Sequence, residues 1–235
     1  MPDKLTSDGG DQPVLSPDGH RVVFLNVVQS GTVDLYVQDT VPGAPAERVL
    51  STPSLKSPTD LSSHGHLLFQ EISEERRSDV WVLSLDGDQK PRPVANSRAA
   101  ESAGQFRPDG KWVTYTSDIN GRPEVYAQPF PGPGTAVQVS RGGGRDARWR
   151  DDGLEIFYLA PDNSLNVVAV RTSRDGKSLE FEPPRPLFMT RVPEGQGPQR
   201  LPYGVADRGR KFLIQTIRDD APEPITLIQN WKPER

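Results

Sequence analysis

The chain has 235 residues, with 28 basic and 32 acidic side chains and a net charge of −4. That balance argues against the basic face a non-specific nucleic-acid binder needs. The absence of cysteine excludes disulfides, thiolate nucleophiles and thiolate metal sites. Gly 21 and Pro 24 are too heavy a load of turn formers for a helix bundle.

From the N-terminus, residues 1–6 carry no apolar signal-peptide core, and no apolar run anywhere approaches the ~18 residues of a membrane span. No membrane insertion is expected, and the literal reading of this start is cytoplasmic. The first turn signal is Ser16-Pro17-Asp18-Gly19. Pro presets φ, Asp bonds its own backbone and Gly tolerates positive φ. The signature returns as Ser62-Ser63-His64-Gly65, Arg107-Pro108-Asp109-Gly110, Arg150-Asp151-Asp152-Gly153 and Ala206-Asp207-Arg208-Gly209, at Gly-to-Gly intervals of 46, 45, 43 and 56 residues.

Each signature follows one apolar anchor: Leu15, Leu61, Phe106, Trp149 and Val205. Each precedes an apolar burst: Val22-Val23-Phe24, Leu67-Leu68-Phe69, Val113-Thr114-Tyr115, Ile156-Phe157-Tyr158 and Phe212-Leu213-Ile214. A second burst follows an acid in the first three repeats, at Asp34-Leu35-Tyr36-Val37, Asp79-Val80-Trp81-Val82 and Glu124-Val125-Tyr126-Ala127. Its counterparts are Leu165-Asn166-Val167-Val168 and Ile225-Thr226-Leu227-Ile228. A weaker fourth strand closes most repeats, as at Glu47-Arg48-Val49-Leu50, Arg92-Pro93-Val94 and Ala136-Val137-Gln138-Val139.

A unit of about 45 residues holding four short strands cannot bury both faces of its sheet alone, so the units must stack. That is the pattern of an all-β protein, a β-propeller of about five four-stranded blades. A parallel β-helix has a much shorter period, and a sandwich does not repeat its turn chemistry. The expected domain is single, over 1–235, with repeats at 7–52, 53–98, 99–141, 142–197 and 198–235. Residues 1–6 can supply the last blade's missing strand and close a five-bladed ring. A fragment of a larger propeller is the alternative, and an open arc would favour self-association.

These repeats resemble the TolB-type, WD-like propeller repeats of bacteria. Ser16-Pro17-Asp18-Gly19 and Asp34-Leu35-Tyr36-Val37 carry the resemblance. Residues 78–231 are similar, more narrowly, to the C-terminal sensor-like propeller of acidobacterial-type serine/threonine kinases. That likeness rests on the stretches 106–113, 121–126, 129–132, 142–144 and 148–150, and on Pro224-Ile225-Thr226 and Asn230-Trp231. It implies a propeller working outside the cytoplasmic membrane. It does not imply kinase activity, because this chain lacks the kinase's nucleotide loop, His-Arg-Asp and Asp-Phe-Gly motifs.

Residues that recur at one register are first explained by the fold. Asp18, Asp109 and Asp152 read as turn residues, Asp34, Asp79 and Glu124 as blade-edge hydrogen bonders, and Trp81, Trp112 and Trp149 as packing. His64-Gly65-His66 lies in a turn without a third ligand nearby, so no metal site is assigned. Gly142-Gly143-Gly144 precedes no helix and reads as an inter-blade loop, not a phosphate cradle. No catalytic residue and no cofactor are assigned.

Residues that break the repeat are the better candidates. The position before each anchor is Val14, Asp60, Gln105, Arg148 and Gly204. Strand alternation sets this column opposite the anchor. With Arg145 and Asp146 it can line a polar channel mouth, or serve as inter-blade bridging. Phe130, in a Pro-rich loop, is the exposed-looking aromatic. The long stretch 182–202 explains the 56-residue interval and ranks first as a partner site, with a solvated linker as its bland reading. The expected function is non-catalytic recognition or sensing of a protein or small ligand on one face. The alternatives are a channel-mouth hydrolase or lyase and a self-assembling incomplete propeller.

Overall fold

The computed structural model describes residues 10–27, 32–72, 77–132, 134–192, 202–216 and 227–229. Among these residues every regular element is a strand. The first sheet is a meander of β1 (Asp11–Leu15), β2 (Arg21–Val27), β3 (Val33–Asp39) and β4 (Glu47–Leu50), with antiparallel neighbours. The second runs β5 (Leu55–Leu61), β6 (His66–Ile72), β7 (Ser78–Ser84) and β8 (Arg92–Ala95) in the same order. The third holds β9 (Glu101–Phe106), β10 (Trp112–Ser117), β11 (Glu124–Pro129) and β12 (Val137–Gln138). The fourth comprises β13 (Arg145–Trp149), β14 (Glu155–Leu159), β15 (Ser164–Thr172), β16 (Leu179–Phe181) and β17 (Arg185–Met189). The last described sheet is β18 (Tyr203–Ala206), β19 (Lys211–Ile214) and β20 (Leu227–Gln229). This is the all-β, blade-by-blade architecture expected from the turn period.

The chain divides into two compact units, Met1–Phe106 and Arg107–Arg235. The division falls after β9, inside the third repeat. The proposed closing strand at residues 1–6 lies outside the described residues, as do Ile225 and Thr226.

The turn signature does what its residues dictate. Ser16 Oγ accepts from the Arg21 amide at 2.9 Å, and Asp18 Oδ1 accepts from the His20 amide at 3.0 Å. Gly19, Gly65, Gly110, Gly153 and Gly209 all have positive φ, between 69° and 74°, a region that costs a side chain strain. The second strands β2, β6 and β14 are apolar without alternation because both of their faces are covered. Leu67, Leu68 and Phe69 are each at most 1% exposed, and burial of one such side chain stabilises by about 2–3 kcal/mol.

Packing repeats along the chain. Leu61, Leu67 and Phe69 of the second sheet look back onto Val14, Val23, Leu25 and Leu35 of the first. Trp149, Ile156 and Tyr158 pack against Trp112, Val125 and Val139. Tyr203, Phe212 and Ile214 pack against Phe157, Leu159 and Leu165. In these three pairs the later blade covers the face the earlier one leaves open.

The long fourth repeat has a different basis from a surface linker. β15 is nine residues long and is shared end to end by two partners on one edge. Its start pairs with β17, Leu165 opposite Phe188, and its end pairs with β16, Val170 opposite Phe181. Leu35 opposite Leu50 and Val80 opposite Ala95 are the matching pairs in the first two blades. β17 is therefore this blade's fourth strand, and the extra residues form the β15–β16 hairpin. The rest of the expected partner loop, 193–201, lies outside the described residues.

Candidate functional site

The candidate column sits on the first strand of each blade, and in β1, β5 and β13 that strand is bulged. The register shifts between Asp11 and Val14 in β1, between Pro58 and Asp60 in β5, and between Arg145 and Arg148 in β13. Gln12, Ala103 and Asp146, each three residues before an anchor, have φ of 51°, 52° and 55°. Non-glycine residues rarely hold this conformation, and bulges re-aim the side chains that follow.

The side chains of Val14, Asp60 and Arg148 point at the next blade. Val14 lies opposite Val23, Asp60 opposite Leu68, Arg148 opposite Phe157 and Gly204 opposite Leu213. Asp60 Oδ2 accepts a hydrogen bond from the Phe106 amide at 2.7 Å. This charge-assisted bond fastens β9 onto β5 and contributes about 1.5–3 kcal/mol. Arg148 is 5% exposed. Its Nη1 donates to the Ala147 carbonyl at 2.9 Å, and its guanidinium lies 5.9 Å from the Tyr203 ring centroid. Tyr203 in turn donates its hydroxyl to the Asp146 carbonyl at 2.8 Å. Burial drives the Tyr203 phenol far above its usual range, so this hydroxyl stays a donor. Inter-blade bridging, the plainer of the two expectations, is thus what Asp60 and Arg148 do. Their partners are a backbone amide and an aromatic ring instead of opposite charges.

Arg145 and Asp146 remain together and half-buried. Arg145 Nη1 meets Asp146 Oδ2 at 2.5 Å, and its Nη2 donates to Asn163 Oδ1 at 2.9 Å. The Asp146 amide donates to Thr116 Oγ1 at 3.2 Å. Gln105 is half-buried on β9. Phe130 is also half-buried, which corrects its reading as an exposed loop aromatic. Its amide donates to the Lys111 carbonyl at 2.8 Å and continues the β10–β11 ladder.

The recurring acids are structural. Buried Glu124 accepts from the Gly143 amide at 2.9 Å, from Arg122 Nε at 2.8 Å and from Ser140 Oγ. Gly143, at φ 108°, presses against Pro161, which fits the inter-blade loop reading. Buried Asp34 meets Arg48 at 3.5 Å. Asp79 is half-buried, and desolvation raises its carboxyl above the ordinary value. His66 is half-buried beside the Phe106 ring, at 6.5 Å between centroids, and burial lowers its pKa. Among the described residues no three His, Cys, Asp or Glu side chains gather as metal ligands.

Two cations escape the repeat-breaking filter. Lys56 is fully buried on β5, where its ammonium donates to the carbonyls of Val33 (2.5 Å), Thr52 (2.9 Å) and Ser54 (3.0 Å). A lysine in a polar strand of unremarkable composition announces nothing. Arg107, read as a turn residue, donates to the Gly153 carbonyl at 3.3 Å and to Thr172 Oγ1 at 3.0 Å. It also lies 5.7 Å from the Trp149 ring centroid. Arginine where the first repeats have serine was a signal available in the sequence.

The comparisons with known proteins agree with this architecture. The chain is 28% identical over 140 residues to tricorn protease homolog 2 of Streptomyces coelicolor, covering 59% of this chain and 11% of that protein. It is 25% identical over 120 residues to the Tol-Pal system protein TolB of Bordetella pertussis, covering 51% of this chain and 27% of that protein. It therefore spans well under half the length of these curated relatives. Among solved structures, TolB from Acinetobacter baumannii superposes with a TM-score of 0.65 at 18% identity, over 91% of this chain and 50% of that one. An oligogalacturonate lyase in complex with manganese also gives 0.65, at 14% identity, over 97% of this chain and 67% of that one. At these identities the two structures bear on the fold alone. The model of the TolB beta propeller domain matches residues 11–181, most of the chain, and the chain belongs to that family.

Proposed function

We propose that this propeller is a non-catalytic recognition module that holds a protein partner or a small ligand on one face, with Arg145 and Asp146 among its contact residues. One observation supports the reading above others. The inner-strand groups with the most chemistry to offer, Asp60 and Arg148, are engaged with the next blade's backbone amide and aromatic ring. Neighbouring blades within each compact unit are thereby fastened together, and recognition falls to half-buried polar groups at strand ends, such as Arg145 and Asp146. A relative named for the Tol-Pal system favours a protein as the partner. On this reading the module acts outside the cytoplasm, and the likeness of residues 78–231 to kinase-linked propellers makes the recognition a sensory one.

The test is a pair of surface substitutions, Arg145→Glu and Asp146→Lys, in the tagged full chain, with Gln105→Ala and Phe130→Ala at the other strand ends as controls. Co-purified partners identified from the wild type are expected to be lost from Arg145→Glu while the melting temperature stays within a few degrees. If every partner survives every substitution, the proposed face is not the binding face.

A further inference from the structure

We infer that a small carboxylate binds at the join between the fourth and fifth blades, held by the Arg148 guanidinium and the Val205 amide. An earlier join supplies the pattern. Asp60, just before the anchor of the second blade, accepts from the amide of Phe106, the anchor of the third, at 2.7 Å. One blade's carboxylate meets the next blade's anchor amide.

In the fifth blade the anchor is Val205, opposite Phe212 in the β18–β19 ladder. The Gln215 amide donates to the Pro202 carbonyl at 2.9 Å, and bonded pairs alternate along an antiparallel ladder. In this register Gly204 with Leu213 and Ala206 with Lys211 are the next bonded pairs. The Val205 amide therefore turns away from β19 and needs an acceptor elsewhere.

The residue in the position of Asp60 is Arg148, which can only donate and is always charged. It is 5% exposed. Its Nη1 donates to the Ala147 carbonyl, its face meets the Tyr203 ring, and its buried Nη2 has no partner among the described residues. Asp146, two residues away, is taken by Arg145, which also holds Asn163. The Tyr203 hydroxyl is committed to the Asp146 carbonyl. A buried cation demands a counter-ion, and here two donors stand where the earlier join has a donor and an acceptor. An anion shared by Nη2 and the Val205 amide restores the pattern and completes the link between the blades. A carboxylate fits best. The repeat uses one at this position in Asp60, its two oxygens serve two donors at once, and Arg148 offers a single uncompensated charge. The burial of Arg148 restricts the occupant to a small acid instead of a chain segment.

The probe is sodium acetate, titrated at neutral pH into the isotope-labelled full chain at constant ionic strength, with chloride as the balancing anion. Acetate should move the NMR signals of the Val205 amide and the Arg148 Nε–H along one saturating curve in the millimolar range. Arg148→Met keeps the bulk of the side chain and removes an unpaired buried charge, so it should fold. In it the acetate affinity read at Val205 should fall at least about tenfold. Inorganic phosphate, run in parallel, should bind more weakly than acetate. A wild-type Val205 amide that ignores acetate overturns the inference, and so does a response undiminished in Arg148→Met. Tighter binding of phosphate overturns the choice of a carboxylate. The wild-type titration decides even if the variant does not fold. It needs no partner protein, so its failure is distinct from failure of the recognition face at Arg145 and Asp146.

Discussion

The same turn is built in two ways in the two compact units. In the first, Ser16 and Ser62 hold their own turns, Ser62 Oγ accepting from the His64 and His66 amides at 3.3 and 3.1 Å. The link to the next blade is left to Arg21, whose Nη1 meets Asp86 at 2.9 Å in an exposed pair. In the second unit, arginine takes the serine position. Arg107 is buried and fastens onto Gly153, Thr172 and Trp149 at once. Arg150 stays local, pairing with Asp152 at 2.7 Å and Glu155 at 2.8 Å. The turn's backbone is indifferent to this choice, because the closing glycine amide donates to the first residue's carbonyl in either case. What changes is whether the first turn residue serves its own blade or the next one.

The largest expected effect tests that contrast directly. Arg107→Ala should cost about 2–4 kcal/mol, since it strips a buried carbonyl and a ring of their partner. Arg21→Ala should cost less than about 1 kcal/mol, as exposed pairs do. Urea midpoints of the two variants check this, and equal losses would break the comparison.

The inner-strand bulge sharpens it. Gly104 has no room for a methyl group, since a Cβ there would stand 2.7 Å from Val80 Cγ1. Gly104→Ala should destabilise by about 1–3 kcal/mol through overpacking. The neighbouring Ala103, at φ 52°, is the opposite case. Ala103→Gly relieves a left-handed side chain and should stabilise by up to about 1 kcal/mol. Thermal melts of the two variants should therefore move in opposite directions.

The smallest effect concerns the acid column. Asp79 has its carboxyl raised above the ordinary 3.8 by burial, with Glu71 adding to the rise and Arg77 opposing it. A folded value above the unfolded one means that protonation favours the fold. That contribution is complete below pH 3.8 and fades as the pH climbs through the raised value. Asp79→Asn should flatten this part of the stability profile between mildly acidic and neutral pH, as read from urea midpoints across that range.

Much of the fold was legible because turn chemistry leaves fixed traces. The spacing of Gly19, Gly65, Gly110 and Gly153 marks the blades, and the apolar bursts after them are the second strands of each sheet. The fourth strand of the fourth blade was hidden, because a hairpin inserted after Val170 pushed it into what read as an insertion. The candidate column was legible as a set of repeat breakers. Its direction was only half so. Alternation sets Asp60 and Arg148 opposite their anchors, but local spacing does not reveal that the next blade lies on that side. Tertiary neighbours decide it, and Phe106 and Tyr203 are far away in sequence. Lys56 left no trace, since its three partners are carbonyls and any sequence supplies those.

The central claim is that repeat-breaking residues of the inner strands join one blade to the next, and the Phe106 amide reports on it most directly. Hydrogen exchange followed by NMR should find this amide protected in the wild type. In Asp60→Ala its exchange should quicken by about tenfold or more, the equivalent of about 1.4 kcal/mol, with amides of β6 and β7 little changed. An amide that exchanges freely in the wild type, or at the same rate in Asp60→Ala, would contradict the account.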